Sequence, residues 1–211
     1  MKTKIRKYEV AVNSHELYGV FVDDEEIETL VTCYPTSVND WINNTEALNE
    51  CRLHRLIVGL DVEWRPTFKA NSIQPLATLQ LCVGKSCLIF QIIHAKRIPS
   101  QLKKFLGDPD YTFVGVGIEN DVRKLRNDYG LKVADTRDLR SWAAKELDRK
   151  ELGRSSLKVL AGEVLGEDLA KPTNITLSSW DNRSLTKAQV SYACLDAYFS
   201  FEIGRQLSAW Y

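Results

Sequence analysis

The chain has 211 residues, 44% hydrophobic and 27% charged, with 28 Lys and Arg set against 28 Asp and Glu. That balance belongs to a globular protein rather than a disordered or low-complexity one, and formal neutrality removes the overall basic field by which a protein grips long duplex without regard to sequence. The length suits one domain with a full core and is short for two, so residues 1–211 are expected to form a single unit.

The five cysteines, Cys33, Cys51, Cys82, Cys87 and Cys194, are an odd and scattered set. They read as free thiols in a reducing compartment. The opening MKTKIRKYEV lacks an apolar h-region, and no run approaches a membrane span. The expectation is an intracellular protein of the nucleus or cytosol.

Residues 8 to 34 alternate in a strand-like way, at Tyr8 to Val12, Val20 to Val22 and Ile27 to Val31, which predicts a hairpin or meander. The acidic run Asp23 to Glu26 reads as a solvated turn. After Pro35, Ser37 is a candidate cap for a helix carrying Val38, Trp41, Ile42, Ala47 and Leu48.

Leu56 to Trp64, LIVGLDVEW, is an apolar run of the kind buried on both faces of a sheet, and it ends in acid. Strand side chains alternate with period two, so Asp61 and Glu63 share one face while Val62 and Trp64 take the other. A core strand has no structural need for two ionised groups, which require water, a cation or a donor.

Arg65 to Gln74 reads as a loop. Ala77 to Val83 and Ser86 to Ile92 are strands split by Gly84-Lys85, a two-residue hairpin signal, and both are expected beside the central strand. Pro99 starts a short helix stopped by Gly107. Thr112 to Val116 is the next buried strand, and from Ile118 a helix runs to Gly130 with Asp121 in its first turn.

Leu131 to Asp135 reads as a brief strand, Asp135 as structural, and Thr136 as the cap of a helix with Leu139, Trp142, Ala143 and Leu147. Ser155 or Ser156 caps another helix, closed by Gly166, and residues 167 to 185 read as irregular. The last helix opens on Thr186-Lys187-Ala188-Gln189, a capping box, and runs to about Leu207. Val190, Ala193, Ala197, Phe201 and Gly204 can face the core. Tyr192 and Asp196, four apart, lie one above the other on a neighbouring face.

Strands alternating with helices after an antiparallel hairpin give a layered α/β sheet with sites at the carboxyl ends of its strands. Asp61, Glu63, Asp121 and Asp196 can meet there. Carboxylates in contact would repel by about 4 kcal/mol per pair at an effective dielectric near 20, so the group would take up protons or capture cations. A set of oxygens with no His or Cys suits Mg²⁺ or Mn²⁺. Two such ions, about 4 Å apart, would stabilise both the attacking and the leaving oxygen of a displacement at phosphorus.

The segments VGLDVEWRP, GVGIENDVRKL and SYACLDA, with SSWDNRSLTKAQ before the last, resemble the three motifs of DEDDy-type 3′-5′ exonucleases, and are nearest in wording to the Werner-syndrome-like branch. The resemblance covers about residues 55 to 207, with the N-terminal 50 residues outside it. It implies an RNase H-like fold, with a central mixed sheet flanked by helices on both faces, and stepwise removal of nucleotides from a 3′ end with two divalent cations, Mg²⁺ or Mn²⁺.

Carried over residue by residue, Asp61 would bridge both ions and Glu63 and Asp196 would complete the site of the ion that activates water. Asp121 would support the cluster through water, and Tyr192 would hydrogen-bond the attacking water. A phenol is mostly protonated at neutral pH, which suits positioning rather than simple base work. The implied partners are single-stranded or recessed 3′ ends, with DNA favoured over RNA. Where the family places proline after the arginine of the third motif, here Arg183 precedes Ser184. No helicase segment follows Tyr211, so a helicase partner is expected, if anywhere, on another chain.

D-x-E or Y-x-x-x-D alone recurs by chance; order, spacing and context together make the resemblance specific. The rival reading is a catalytically silent nucleic-acid-binding or assembly module on the same fold, and a third is an RNase H-like endonuclease. Trp64 and Arg65 are candidates for contact with a terminal base or phosphate, against core packing for Trp64. Arg183 and Lys187 are candidates for the substrate backbone, against ordinary surface solvation. Cys51-x-x-His54 and Cys82-x4-Cys87 are too few and too core-like for zinc. The N-terminal strands have edges able to pair between copies of the chain, a route to a homo-oligomer.

Overall fold

The computed structural model describes residues 2–67, 74–170 and 172–208. Eight strands form one mixed sheet: β1 Thr3–Tyr8, β2 Glu16–Val22, β3 Glu25–Thr32, β4 Leu56–Trp64, β5 Leu76–Val83, β6 Ser86–Phe90, β7 Tyr111–Gly115 and β8 Asp135–Asp138. Their spatial order is β1-β2-β3-β6-β5-β4-β7-β8. The helices are α1 Pro35–Leu48, α2 Ser100–Leu106, α3 Ile118–Tyr129, α4 Leu139–Glu146, α5 Leu157–Leu160, α6 Thr173–Thr176 and α7 Lys187–Ser208.

The LIVGLDVEW stretch is β4 from end to end, with β5 antiparallel on one side and β7 parallel on the other. Only β5 of the predicted hairpin adjoins it. The second strand, β6, lies one place further and pairs its other edge in parallel with β3, which joins the N-terminal ribbon to the sheet. Gly84 turns the hairpin at φ +58, backbone that a side chain would strain. β3, β6, β4, β7 and β8 therefore run one way and end at one edge.

Helices cover both faces. On the Val58 face, Phe113 pairs with Val58 across the β7–β4 ladder and packs against Phe105 of α2, which meets Trp41 of α1. On the opposite face α7 lies directly over β4. The two layers enclose Val58, Leu60, Leu79, Leu81, Phe90 and Phe113, all 1% exposed or less.

Three local expectations are corrected. The first strand is Thr3–Tyr8, five residues earlier than the alternation of Tyr8 to Val12 suggested, and Val12 is exposed. Leu131 to Ala134 is not strand; β8 begins at Asp135, where pairing with β7 rather than hydrophobicity sets the position. Thr136 lies inside β8, and the cap of α4 is Asp138, whose carboxylate accepts from the Arg140 backbone N–H at 2.9 Å. Part of the loop expected over Arg65 to Gln74 lies outside the described residues.

Candidate active site

Two carboxylates reach the site from β4. They share a face with Gly59, and an added Cβ there would sit 2.0 Å from the Ala197 carbonyl oxygen and 2.7 Å from the Phe201 nitrogen. The backbone of α7 rests on the backbone of β4, which only glycine permits. Further along, an added Cβ at Gly204 would meet Val114 at 2.9 Å. This close seating brings Asp196, 5% exposed, down beside the end of β4.

The direction of α7 is set by its start. The Thr186 N–H donates to Gln189 Oε1 at 2.9 Å, and the Gln189 N–H donates back to Thr186 Oγ1 at 3.2 Å, the predicted capping box. The result is a trio: Asp61, Glu63 and Asp196 each offer a carboxylate oxygen within 4.8 Å of the others. Among the described residues no other His, Cys, Asp and Glu group has this geometry, and the two Cys motifs make none. Three convergent oxygens from half-buried and buried carboxylates fit a hard divalent cation of the Mg²⁺ or Mn²⁺ class.

Asp121, one turn into α3, stands outside that trio. Burial, and then the neighbouring Asp138 carboxylate, push its acid up to about 7. Asp138 is itself held the other way. Burial raises it, but the Arg140 guanidinium at 2.6 Å, the Arg140 backbone N–H and the Gly117 N–H at 3.2 Å bring it below the ordinary carboxylate range. One anion thus ties β8, α4 and the start of α3 together beside Asp121.

Tyr192 is one helical turn before Asp196 on α7 and 8% exposed. The Thr176 hydroxyl donates to its phenol oxygen at 3.2 Å, and the Trp180 ring lies 6.0 Å from its ring. The 3′-5′ exonuclease family matches residues 34–209 of the chain. The chain belongs to this family.

A 3′-5′ exonuclease of Arabidopsis thaliana is 36% identical over 153 residues, 71% of this chain and 52% of that protein. The mouse bifunctional 3′-5′ exonuclease/ATP-dependent helicase WRN is 37% identical over 152 residues, 72% of this chain and 11% of that protein. The chain thus spans about half of one relative's length and a tenth of the other's. The crystal structure of the EXD2 exonuclease domain soaked in Mn superposes with a TM-score of 0.50 at 28% identity, over 85% of this chain and 88% of that one. The fold is RNase H-like. The family match begins at 34, earlier than the sequence motifs reached, and takes in α1; β1 to β3 lie outside it.

The remaining residues are placed within this exonuclease-family domain as follows. Trp64 is 38% exposed with Lys124 Nζ 5.2 Å from its ring, so it is not a core residue. Arg183 and Lys187 are exposed on the loop and first turn entering α7. Arg183 also lines a recess of about 760 Å³ with His15 and Tyr34.

Arg65 is engaged within the protein. It forms an ion pair with Asp181 at 3.1 Å and donates to Ser179 Oγ. The loop 178–183 that Arg65 thus fastens is also held by Gln91, which donates to the carbonyls of Asn182 and Arg183, by His94 on the Asp181 carbonyl, and by Gln189 on Ser178. Trp180, fully buried, anchors the middle. Sequence reasoning missed Arg65 with Asp181, Thr176 with Tyr192, and Asp138 with Arg140 beside Asp121. The first pair is 116 residues apart, and no local pattern announces it; the last was visible as a D-x-R at a helix start.

Proposed function

We propose that this domain is a metal-dependent 3′-5′ exonuclease that hydrolyses the terminal phosphodiester bond of a nucleic-acid strand. The observation that supports it most is the trio of Asp61, Glu63 and Asp196 at the carboxyl edge of the sheet. These three residues would hold the cation or pair of cations, with Asp121 supporting them through water. Bound there, the metal supplies an acidified water and neutralises charge developing on the phosphate.

The chain's own groups do the rest. Tyr192, its phenol oriented by Thr176, positions the water for attack. The water oxygen bonds to phosphorus as the bond to the 3′ oxygen breaks, leaving a new 3′ hydroxyl and a nucleoside 5′-monophosphate. Trp64, Arg183 and Lys187 are the candidates for contact with the terminal base and the strand's phosphates. DNA 3′ ends are the favoured substrate, with RNA as the other candidate. Residues 1–211 would work as one catalytic unit in a reducing compartment, nuclear or cytosolic, alone, as a homo-oligomer, or beside a helicase on another chain.

A 5′-labelled oligonucleotide incubated with Mg²⁺ or Mn²⁺ tests this. A ladder shortening from the 3′ end is expected, slowed on the order of 10³-fold by Asp61→Ala and by Glu63→Gln with melting temperatures near wild type. Binding without turnover at saturating metal would instead make the domain a silent module, and cuts in a circular strand would make it an endonuclease.

A further inference from the structure

At the sheet edge opposite the acids lies a recess of about 810 Å³ whose walls include His54, Arg55, Arg137, Lys145 and the indole of Trp142, with no carboxylate side chain among its described lining residues. In a chain of zero formal charge this is a local concentration of cations. Arg55 precedes β4, Arg137 lies on β8 and Lys145 near the end of α4, so three separate elements converge there.

The groups are arranged for an anion. The Arg137 guanidinium sits 4.9 Å from the Trp142 ring centre, and Trp142 is 7% exposed. Stacking fixes the guanidinium plane and leaves its N–H edge, the edge that binds phosphate in a fork, available for a ligand. The Lys145 side chain is 75% exposed at the mouth of the recess, with Glu146 3.8 Å away. Asp135 pairs with Thr112 across the β7–β8 ladder, and its carboxylate accepts a hydrogen bond from that hydroxyl at 2.8 Å.

Its position relates the recess to the acids. Ile57 in its wall and Asp61 share a face of β4, roughly 13 Å apart at strand rise. Ser208 in its wall and Asp196 are both on α7, roughly 18 Å apart at helix rise. At about 3.4 Å per stacked step, the three steps of a tetranucleotide in the active site span roughly 10 Å and fall short of the recess, whereas a strand of about 30 reaches it.

We propose that the recess is a second phosphate-binding site, holding the backbone of the substrate several nucleotides away from the 3′ end that occupies the acid trio. It rests on the exonuclease reading above. Phosphate contacts at such a distance position a strand without reading its sequence, and they would bind long substrates in preference to short ones.

The test uses the full chain and a variant with Arg55→Ala, Arg137→Ala and Lys145→Ala. Fluorescence anisotropy of a labelled strand of about 30 nucleotides, in chelator so that no turnover occurs, should give a slope of log affinity against log salt shallower by about 2 in the variant. Digestion of a tetranucleotide should stay within about twofold of wild type. Lys145→Glu, which leaves the stacked pair alone, should weaken long-strand binding in the same direction.

An unchanged salt slope would overturn the proposal, as would equal losses on long and short substrates. Loss of a thermal shift by inorganic pyrophosphate with long-strand binding intact would also overturn it, assigning the recess to a small phosphate ligand. The binding arm needs no hydrolysis, so a wild-type protein that digests nothing would remove the exonuclease reading and still report on the recess.

Discussion

The two ends of α7 make opposite uses of charge. Its N-terminal half brings Asp196 onto Asp61 and Glu63 through backbone contact with β4, beneath a loop held by five side chains. Its C-terminal end adjoins exposed cations, one of them stacked on an indole ring. The acids are fixed because like charges held together need a rigid frame, whereas long basic side chains can adjust to an anion and need little framing. A formal charge of zero conceals this polarity entirely.

The contrast can be broken most severely at Gly59. Gly59→Val places a branched side chain where the Ala197 carbonyl already sits. It should cost about 3 kcal/mol or more, a fall of roughly 10 °C in melting temperature. Below its midpoint the variant should digest at least 10²-fold more slowly than wild type. Normal melting and normal digestion together would mean that α7 is not seated by this contact.

A smaller effect is expected at the loop. Arg65→Ala removes an exposed ion pair, which is worth about 1 kcal/mol or less. Digestion should nevertheless slow about 10-fold, because Thr176 and Trp180, which orient Tyr192, belong to the segment that Arg65 fastens. Equal rates in variant and wild type would leave the loop's order to Gln91, His94, Gln189 and Trp180.

The subtlest test is at Asp121, whose acid stands near 7 against an ordinary value of 3.8. A folded-state pKa raised in this way contributes stability that is complete below the ordinary range and is lost as pH rises through about 7. In chelator, wild type should therefore lose melting temperature between pH 5.5 and 8. Asp121→Asn should flatten that change by roughly 4 °C. Identical pH profiles would show that Asp121 is hydrated enough to ionise without cost.

What the sequence disclosed follows from what physical signal each part carries. β4 was legible to the residue because a strand buried on both faces is written as an apolar run, and the parity of Asp61 and Glu63 follows from strand geometry. The start of α7 was legible because a capping box is a local code. β1 and β8 were misplaced because TKIRKY and DTRD have no apolar face, and their limits are set by the neighbouring strand. The seating of α7 was hidden in Gly59, which reads as any strand glycine until a helix is laid on it. The partners of Arg65 and Tyr192 lie across the fold, where neither period nor cap reaches. The recess of Arg55, Arg137 and Lys145 was equally unreadable, since its three cations are separated by 82 and 8 positions and meet only through the sheet.

The N-terminal ribbon has a bearing on solubility. The family match begins at 34, yet in this protein β6 is flanked on its outer side by β3. Without the ribbon, a fully apolar strand, CLIF after Ser86, would present a bare row of amide donors and acceptors, the arrangement that recruits other chains into aggregates. With it, the outermost strand of the described residues is β1, TKIRKY, whose Lys4 and Arg6 put positive charge along that border. The ribbon thus moves the sheet's vulnerable border from a sticky sequence to a basic one.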